Sequence, residues 1–128
     1  MQIHQSAEDY LETILMLNQR MGRVRSIDVV NELGYTKASV SIAMKKLREN
    51  GYIAVDGEGN LTLLEPGLEI AQRIYSRHQL LTHFFVQLGV DEQTAAEDAC
   101  KAEHILSEQT LEKIREYALL HDAQDSVK

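Results

Sequence analysis

The sequence has no tryptophan, one proline and one cysteine. A single cysteine excludes an intramolecular disulfide, so Cys100 is reduced, buried or a ligand. The scarcity of proline and the absence of tryptophan point to a helix-rich chain with few rigid turns. No run approaches the roughly 18 apolar residues of a membrane span. The first residues, MQIHQSAEDY, carry acids where a signal peptide needs a basic stretch and an apolar core. No membrane partner and a cytoplasmic location are therefore expected. Hydrophobic residues at 44 % and charged residues at 26 % argue against disorder. A chain of 128 residues suffices for one domain, or for a small DNA-reading module with a helical extension.

The net charge of -7 discourages a nucleic-acid partner until its distribution is read. Residues 20–50 hold seven bases (Arg20, Arg23, Arg25, Lys37, Lys45, Lys46, Arg48) against three acids. Residues 67–128 hold six bases against eleven acids. A basic segment on an acidic chain is the asymmetry that phosphate binding needs.

Hydrophobic spacing divides the chain into elements. Ser6 is placed to cap a first helix carrying Tyr10, Leu11, Ile14, Leu15, Met16 and Leu17, which stops near Gly22. Ser26 caps a short second helix with Ile27, Val29, Val30 and Leu33, ended by Gly34. Thr36 opens a third helix to about Glu49, with Val40, Ile42, Met44 and Leu47 as its apolar positions. The period then becomes two. Residues 52–55 and 61–64 flank Asp56-Gly57-Glu58-Gly59-Asn60, which reads as a β-hairpin. Pro66 suits the first turn of a fourth helix, Gly67 to about Leu88. A fifth helix starts at Asp91 or Thr94 and runs to about Ile105. A sixth starts at Ser107 and ends near His121, leaving a frayed polar tail.

This order predicts a mainly α chain: a winged helix-turn-helix at residues 1–66 with a small hairpin wing, then a helical domain at 67–128. Gly34-Tyr35 supplies the tight turn between the second and third helices. The third helix opens with Thr36, Lys37, Ala38 and Ser39, small or hydrogen-bonding residues that let the backbone approach base edges in the major groove. Arg25, Ser26, Lys45 and Lys46 are expected near phosphates, where they set register. The acidic hairpin tip, Asp56 and Glu58, predicts a small contribution from the wing.

Three further segments carry metal-ligand chemistry. Asp9 and Glu12 are i, i+3 on the first helix, and Cys100, Glu103 and His104 are i, i+3, i+4 on the expected fifth helix. His78 stands on the fourth. Oxygen donors suit manganese, imidazole most first-row ions, and thiolate iron, cobalt or zinc. Spacing alone does not bring the three segments together. An enzyme is not expected: a metallohydrolase would need an open coordination position and a substrate pocket, and neither a separate general base nor a phosphate-cradling glycine loop is present.

Five segments taken in order resemble the metal-dependent regulators of the diphtheria toxin repressor and manganese transport regulator type. They are SAEDYLETI at residues 6–14, TKASVS at 36–41, RHQLL at 77–81, GVD at 89–91 and ACKAEHILS at 99–107. The resemblance covers about residues 4 to 121. It implies binding of Mn(II) or Fe(II), with Co(II) or Zn(II) as in-vitro substitutes, a homodimer formed by the C-terminal helices, and repression from a palindromic double-stranded DNA operator. Asp9, Glu103 and His104, with Cys100, correspond to one metal site. Glu12 and His78 correspond to a neighbouring site, with Glu103 bridging. The manganese-type members carry Glu at the position of Cys100, and the iron type carries Cys. Asp9 matches the manganese type, where the iron type has Met. The ancillary site of the iron type is not carried over, because Thr82 and Ala96 stand where its Glu and His partners belong. Nor is its SH3-like domain expected in a chain of this length.

The resemblance implies a population shift, in which a metal held by ligands of both domains fixes their orientation for DNA. Phe84, Phe85, Leu88 and Val90 are candidates for the dimer interface or for packing on the sixth helix. The alternative function is a winged-helix regulator responding to a small ligand or to thiol oxidation at Cys100.

Overall fold

The computed structural model describes residues 5–127, with side chains from 6 to 123. Its elements are α1 (Gln5–Met21), α2 (Ser26–Leu33), α3 (Lys37–Glu49), β1 (Ile53–Val55), β2 (Leu61–Leu63), α4 (Glu65–Gln87), α5 (Glu92–Ala102) and α6 (Glu108–Val127). The expected order of a helix-turn-helix, a hairpin wing and a helical second half is the order found. The chain divides into two compact units, Met1–Arg73 and Ile74–Lys128, with the division inside α4. Among the described residues no helix is long and apolar enough to cross a membrane.

In the first unit, α1 buries Tyr10, Leu11, Ile14, Leu15 and Leu17, and α3 buries Val40, Met44 and Leu47. Val24, Val29, Ile53, Leu61 and Ala71 complete this core. Tyr10 meets Tyr35 edge to face at 5.9 Å. Burial pushes the Tyr10 phenol above its ordinary value, and the nearby Tyr35 and Asp9 add to that.

Two expected caps are corrected. Ser6 lies inside α1, which has already begun at Gln5. Ser26 is the first residue of α2, and Arg25 takes the cap position in extended conformation. The Asp28 carboxylate accepts the Arg25 N–H at 2.9 Å, so the helix start is secured from inside its first turn. At the other end Gly34 adopts φ +71°, a left-handed conformation, and donates its N–H to the Val30 carbonyl at 2.8 Å. Thr36 does cap α3: its hydroxyl oxygen accepts the Ser39 N–H at 3.1 Å.

The wing pairs Ile53 with Leu63, Ala54 with Thr62 and Val55 with Leu61. Its loop end is tied to the segment before α2, where the Leu61 N–H donates to the Val24 carbonyl at 2.7 Å and Arg25 bridges to Asn60. The Leu64 N–H donates to the Tyr52 carbonyl at 3.0 Å, just before α4 begins. Gly67 is buried against that same carbonyl, and a Cβ there would lie 2.2 Å from the Tyr52 oxygen.

The second unit packs Leu81, Ala99 and Leu111 with Leu80, Phe85, Ala102, Leu106 and Ile114. Asp91 caps α5, its carboxylate accepting the Thr94 N–H at 3.1 Å, a bond that holds the Asp91 pKa below its ordinary value. Two helix ends differ from expectation. α5 stops at Ala102 rather than near Ile105, and Ser107 then opens α6 by accepting the Thr110 N–H at 3.2 Å. α6 continues past His121 to Val127. Asp122 is held there by His83 at 2.9 Å and by the Gln87 amide at 2.8 Å, and His121 stacks on Tyr117. Phe84 meets Tyr117 edge to face and Phe85 joins the unit's own core, which accounts for two of the four interface candidates by internal packing. Leu88 remains 60 % exposed.

Helix propensity favours alanine over glycine by roughly 1 kcal/mol, yet Gly67→Ala should destabilise the protein. The added methyl displaces the Tyr52 carbonyl that Leu64 uses, a cost of about 1–3 kcal/mol for overpacking. A lower urea midpoint with an unchanged m-value is the expected result.

Candidate functional site

The first unit presents the outer face of α3. Val40, Met44 and Leu47 turn inward, while Lys37, Ala38, Ser39, Ser41, Ile42, Lys45, Lys46 and Arg48 are exposed. Thr36 is also exposed, and its hydroxyl donates to the Ser39 oxygen at 2.9 Å as well as accepting the Ser39 N–H. Thr36 is thus occupied in capping, and the Ser39 hydroxyl keeps its own proton for an outside acceptor. Ile42 departs from the sequence reading, which counted it among the apolar positions of the helix. It is 58 % exposed, because two residues beyond Val40 is about 200° around a helix.

Arg25 is exposed, with its guanidinium beside Gly59 of the hairpin loop, and Ser26 is half-buried. The acidic wing tip has an internal explanation. One Asp56 carboxylate oxygen accepts the N–H groups of Glu58 and Asn60 at 2.9 Å each, and the other accepts the Asn60 amide at 3.0 Å. These bonds, those from Asn60 foremost, hold the Asp56 pKa below its ordinary 3.8. Glu58 lies 3.9 Å from Arg23, both exposed. Asp56 is a turn-former, and its charge is committed to its own loop.

On α1, Asp9 and Glu12 stand one turn apart, Asp9 half-buried and Glu12 buried. Glu8 pairs with Arg73 at 3.2 Å.

The second unit brings His78, Glu103 and His104 together. Glu103 is fully buried. One of its oxygens lies 3.1 Å from His78 Nδ1, and the other lies 3.4 Å from His104 Nε2. The oxygen facing His104 is buried without a hydrogen bond among the described residues. The expected placement of all three C-terminal ligands on one helix is corrected. Glu103 caps α5, donating its N–H to the Ala99 carbonyl at 2.9 Å, and His104 lies in the turn beyond. Cys100 remains on the helix, exposed and outside any disulfide. A buried carboxylate between two imidazoles is a nitrogen–oxygen donor set suited to a first-row divalent ion.

Arg77 was not singled out from the sequence. Its guanidinium donates to the Glu103 carbonyl at 3.2 Å and pairs with the Glu108 carboxylate. It therefore clamps the turn that carries Glu103 and His104 from both ends. Only its position next to His78 hinted at this role.

Two family descriptions match consecutive parts of the chain. The N-terminal DNA-binding domain of iron-dependent repressors matches residues 2–61. Their metal-binding and dimerisation domain matches residues 64–120. The chain is also 37 % identical over 113 residues to the uncharacterized HTH-type transcriptional regulator MJ0568 of Methanocaldococcus jannaschii, covering 87 % of this chain and 90 % of that one. The chain belongs to the iron-dependent repressor family. Another relative, the HTH-type transcriptional regulator MntR of Bacillus subtilis (strain 168), is 32 % identical over 123 residues, covering 96 % of this chain and 87 % of that protein. A solved manganese-dependent transcriptional repressor in complex with manganese is similar with a TM-score of 0.80 and 26 % identity over 88 % of this chain. The family member described here spans about half of that solved chain, 52 %.

Two outcomes follow from the geometry. Removing the Arg77 clamp by Arg77→Met should weaken divalent-metal binding roughly 10–100-fold, the usual effect of losing a partner that orients a ligand. Calorimetric titration measures it, and Arg77→Lys should recover part of the loss. Asp56 has a depressed folded pKa, so its stabilisation of the wing is present above pH 3.8 and is lost as the pH falls through the lower folded value. The Asn60 amide resonance should therefore hold its position on acidification to about pH 4 and move only below the ordinary carboxylate range.

Proposed function

We propose that this family member is a metal-dependent transcriptional repressor of metal-homeostasis genes, loaded by Mn(II) or Fe(II) before it binds a palindromic operator as a homodimer in the cytoplasm. The observation that carries the reading is Glu103, fully buried between His78 and His104, in a chain whose α3 exposes a basic face. A carboxylate taken out of water is costly unless it is matched by positive charge or hydrogen bonds. A divalent cation supplies that charge when bound.

In this reading His78, Glu103 and His104 are ligands, with Asp9, Glu12 and Cys100 completing the set. Asp9 and Glu12 supply hard oxygen donors, and the Cys100 thiol biases the set toward softer ions. On the DNA side, the first turn of α3 (Thr36, Lys37, Ala38, Ser39) faces base edges. Arg25, Ser26, Lys45 and Lys46 hold phosphates and set register. The ion changes operator affinity only by as much as its own affinity differs between the two arrangements of the protein. No reaction is assigned to the chain.

The test is fluorescence anisotropy of a labelled duplex from the region upstream of the gene, at fixed salt. Protein is titrated in chelator, then with Mn(II), anaerobic Fe(II), Co(II) and Zn(II). Binding should tighten roughly 5–150-fold with metal. Asp9→Ala and His104→Ala should each lose that response while keeping a native circular dichroism spectrum and melt. Duplex binding indifferent to both metal and chelator overturns the proposal and leaves a winged-helix regulator answering to a small ligand or to oxidation of Cys100.

A further inference from the structure

Ile42 lies outside the buried core of its unit. It sits on α3 at 58 % exposure, opposite the buried Val40, Met44 and Leu47. A β-branched residue is a mediocre helix former, so helix propensity does not explain an isoleucine on an outer face. Ala38, one turn earlier and also exposed, lies on the same side, so the two form a short apolar strip along the outer face. The strip is bordered by Lys37, Ser39, Lys45 and Lys46, all exposed. This surroundings suits a polyanion, and the strip itself needs an apolar group within that polyanion. The major groove of DNA offers one such group among its base edges, the C5 methyl of thymine.

We propose that Ile42 is a specificity-determining residue that packs on a thymine methyl in each operator half-site. The inference rests on the DNA-binding reading above and deepens it, since it names the chemical feature that α3 selects. Ser39 beside the strip supplies a hydrogen bond, and the lysines supply phosphate contacts that carry no sequence information. Discrimination between thymine and cytosine at the Ile42 position then depends on methyl burial.

The experiment uses the full chain with Mn(II) to enrich duplexes from a random library, followed by replacement of each thymine of the enriched site by deoxyuridine, which removes only the methyl. At least one thymine per half-site should lose about fourfold in affinity, the value of one buried methyl-sized group. Ile42→Ala should bind the thymine and deoxyuridine duplexes equally, with an unchanged melting temperature because the side chain is exposed. Ala38→Gly should keep the Ile42-dependent difference. If enriched sites show no methyl-sensitive thymine, or if Ile42→Ala keeps the full sensitivity, the inference is overturned while the DNA-binding reading stands. Failure of the wild-type chain to enrich any duplex overturns both.

Discussion

A carboxylate with no exposed surface must find positive charge or hydrogen-bond donors, and Glu103 organises the second unit around that demand. His78 and His104 approach its two oxygens from α4 and from the turn after α5. Arg77, adjacent to His78, takes the carbonyl of the same residue. The end of α5 at Ala102 is part of this arrangement. One further helical turn would have carried His104 on along the helix, whereas the turn before Ser107 keeps it against Glu103. Local helix length, a buried charge and the placement of two imidazoles are therefore a single structural fact.

The first unit follows different rules. Its core is apolar apart from Glu12 and Thr13 on α1, and its basic residues, Arg73 aside, are gathered on the segment from Arg20 to Arg48. Such segregation lets a chain with a net charge of -7 present a basic surface. Phosphate attraction depends on local potential within about a Debye length, roughly 8 Å at physiological salt, rather than on net charge alone.

Much of the fold was legible in the sequence because glycine and period mark it. Gly34 needs a left-handed conformation that other residues resist, and the hairpin announces itself by alternation around a glycine-rich loop. Helix ends were less legible because distant or inward partners set them. Asp28 caps α2 from its own first turn, and His83 and Gln87 hold Asp122 so that α6 runs beyond His121. The metal-ligand candidates were visible as residue types, but His78 and Glu103 are 25 residues apart and no spacing argument joins them. Their pairing follows from the packing of α4 and α5 around Leu81 and Ala99. Ile42 illustrates the limit from the other side. Counting apolar residues along α3 placed it with Val40 and Met44, but an interval of two carries a helical side chain to the opposite face.

Asp56 limits what the backbone of the wing offers to a phosphate. A winged-helix wing that grips phosphate needs positive charge or unspent donors at its tip. Here the Glu58 and Asn60 N–H groups and the Asn60 amide are spent on the Asp56 carboxylate. Those bonds stiffen the loop and remove the donors that a phosphate would otherwise take. The positive charges at that loop are the Arg25 guanidinium, beside Gly59, and the Arg23 guanidinium, 3.9 Å from Glu58. In the proposed reading phosphate contact is shared between Arg25 and the lysines of α3, where Lys45 and Lys46 lie about two and a half to three turns beyond the Thr36 cap. A short helix that must supply both backbone register and base contacts has few positions to spare. An exposed isoleucine among them is better understood as a contact to the base pairs than as a residue left over from the core.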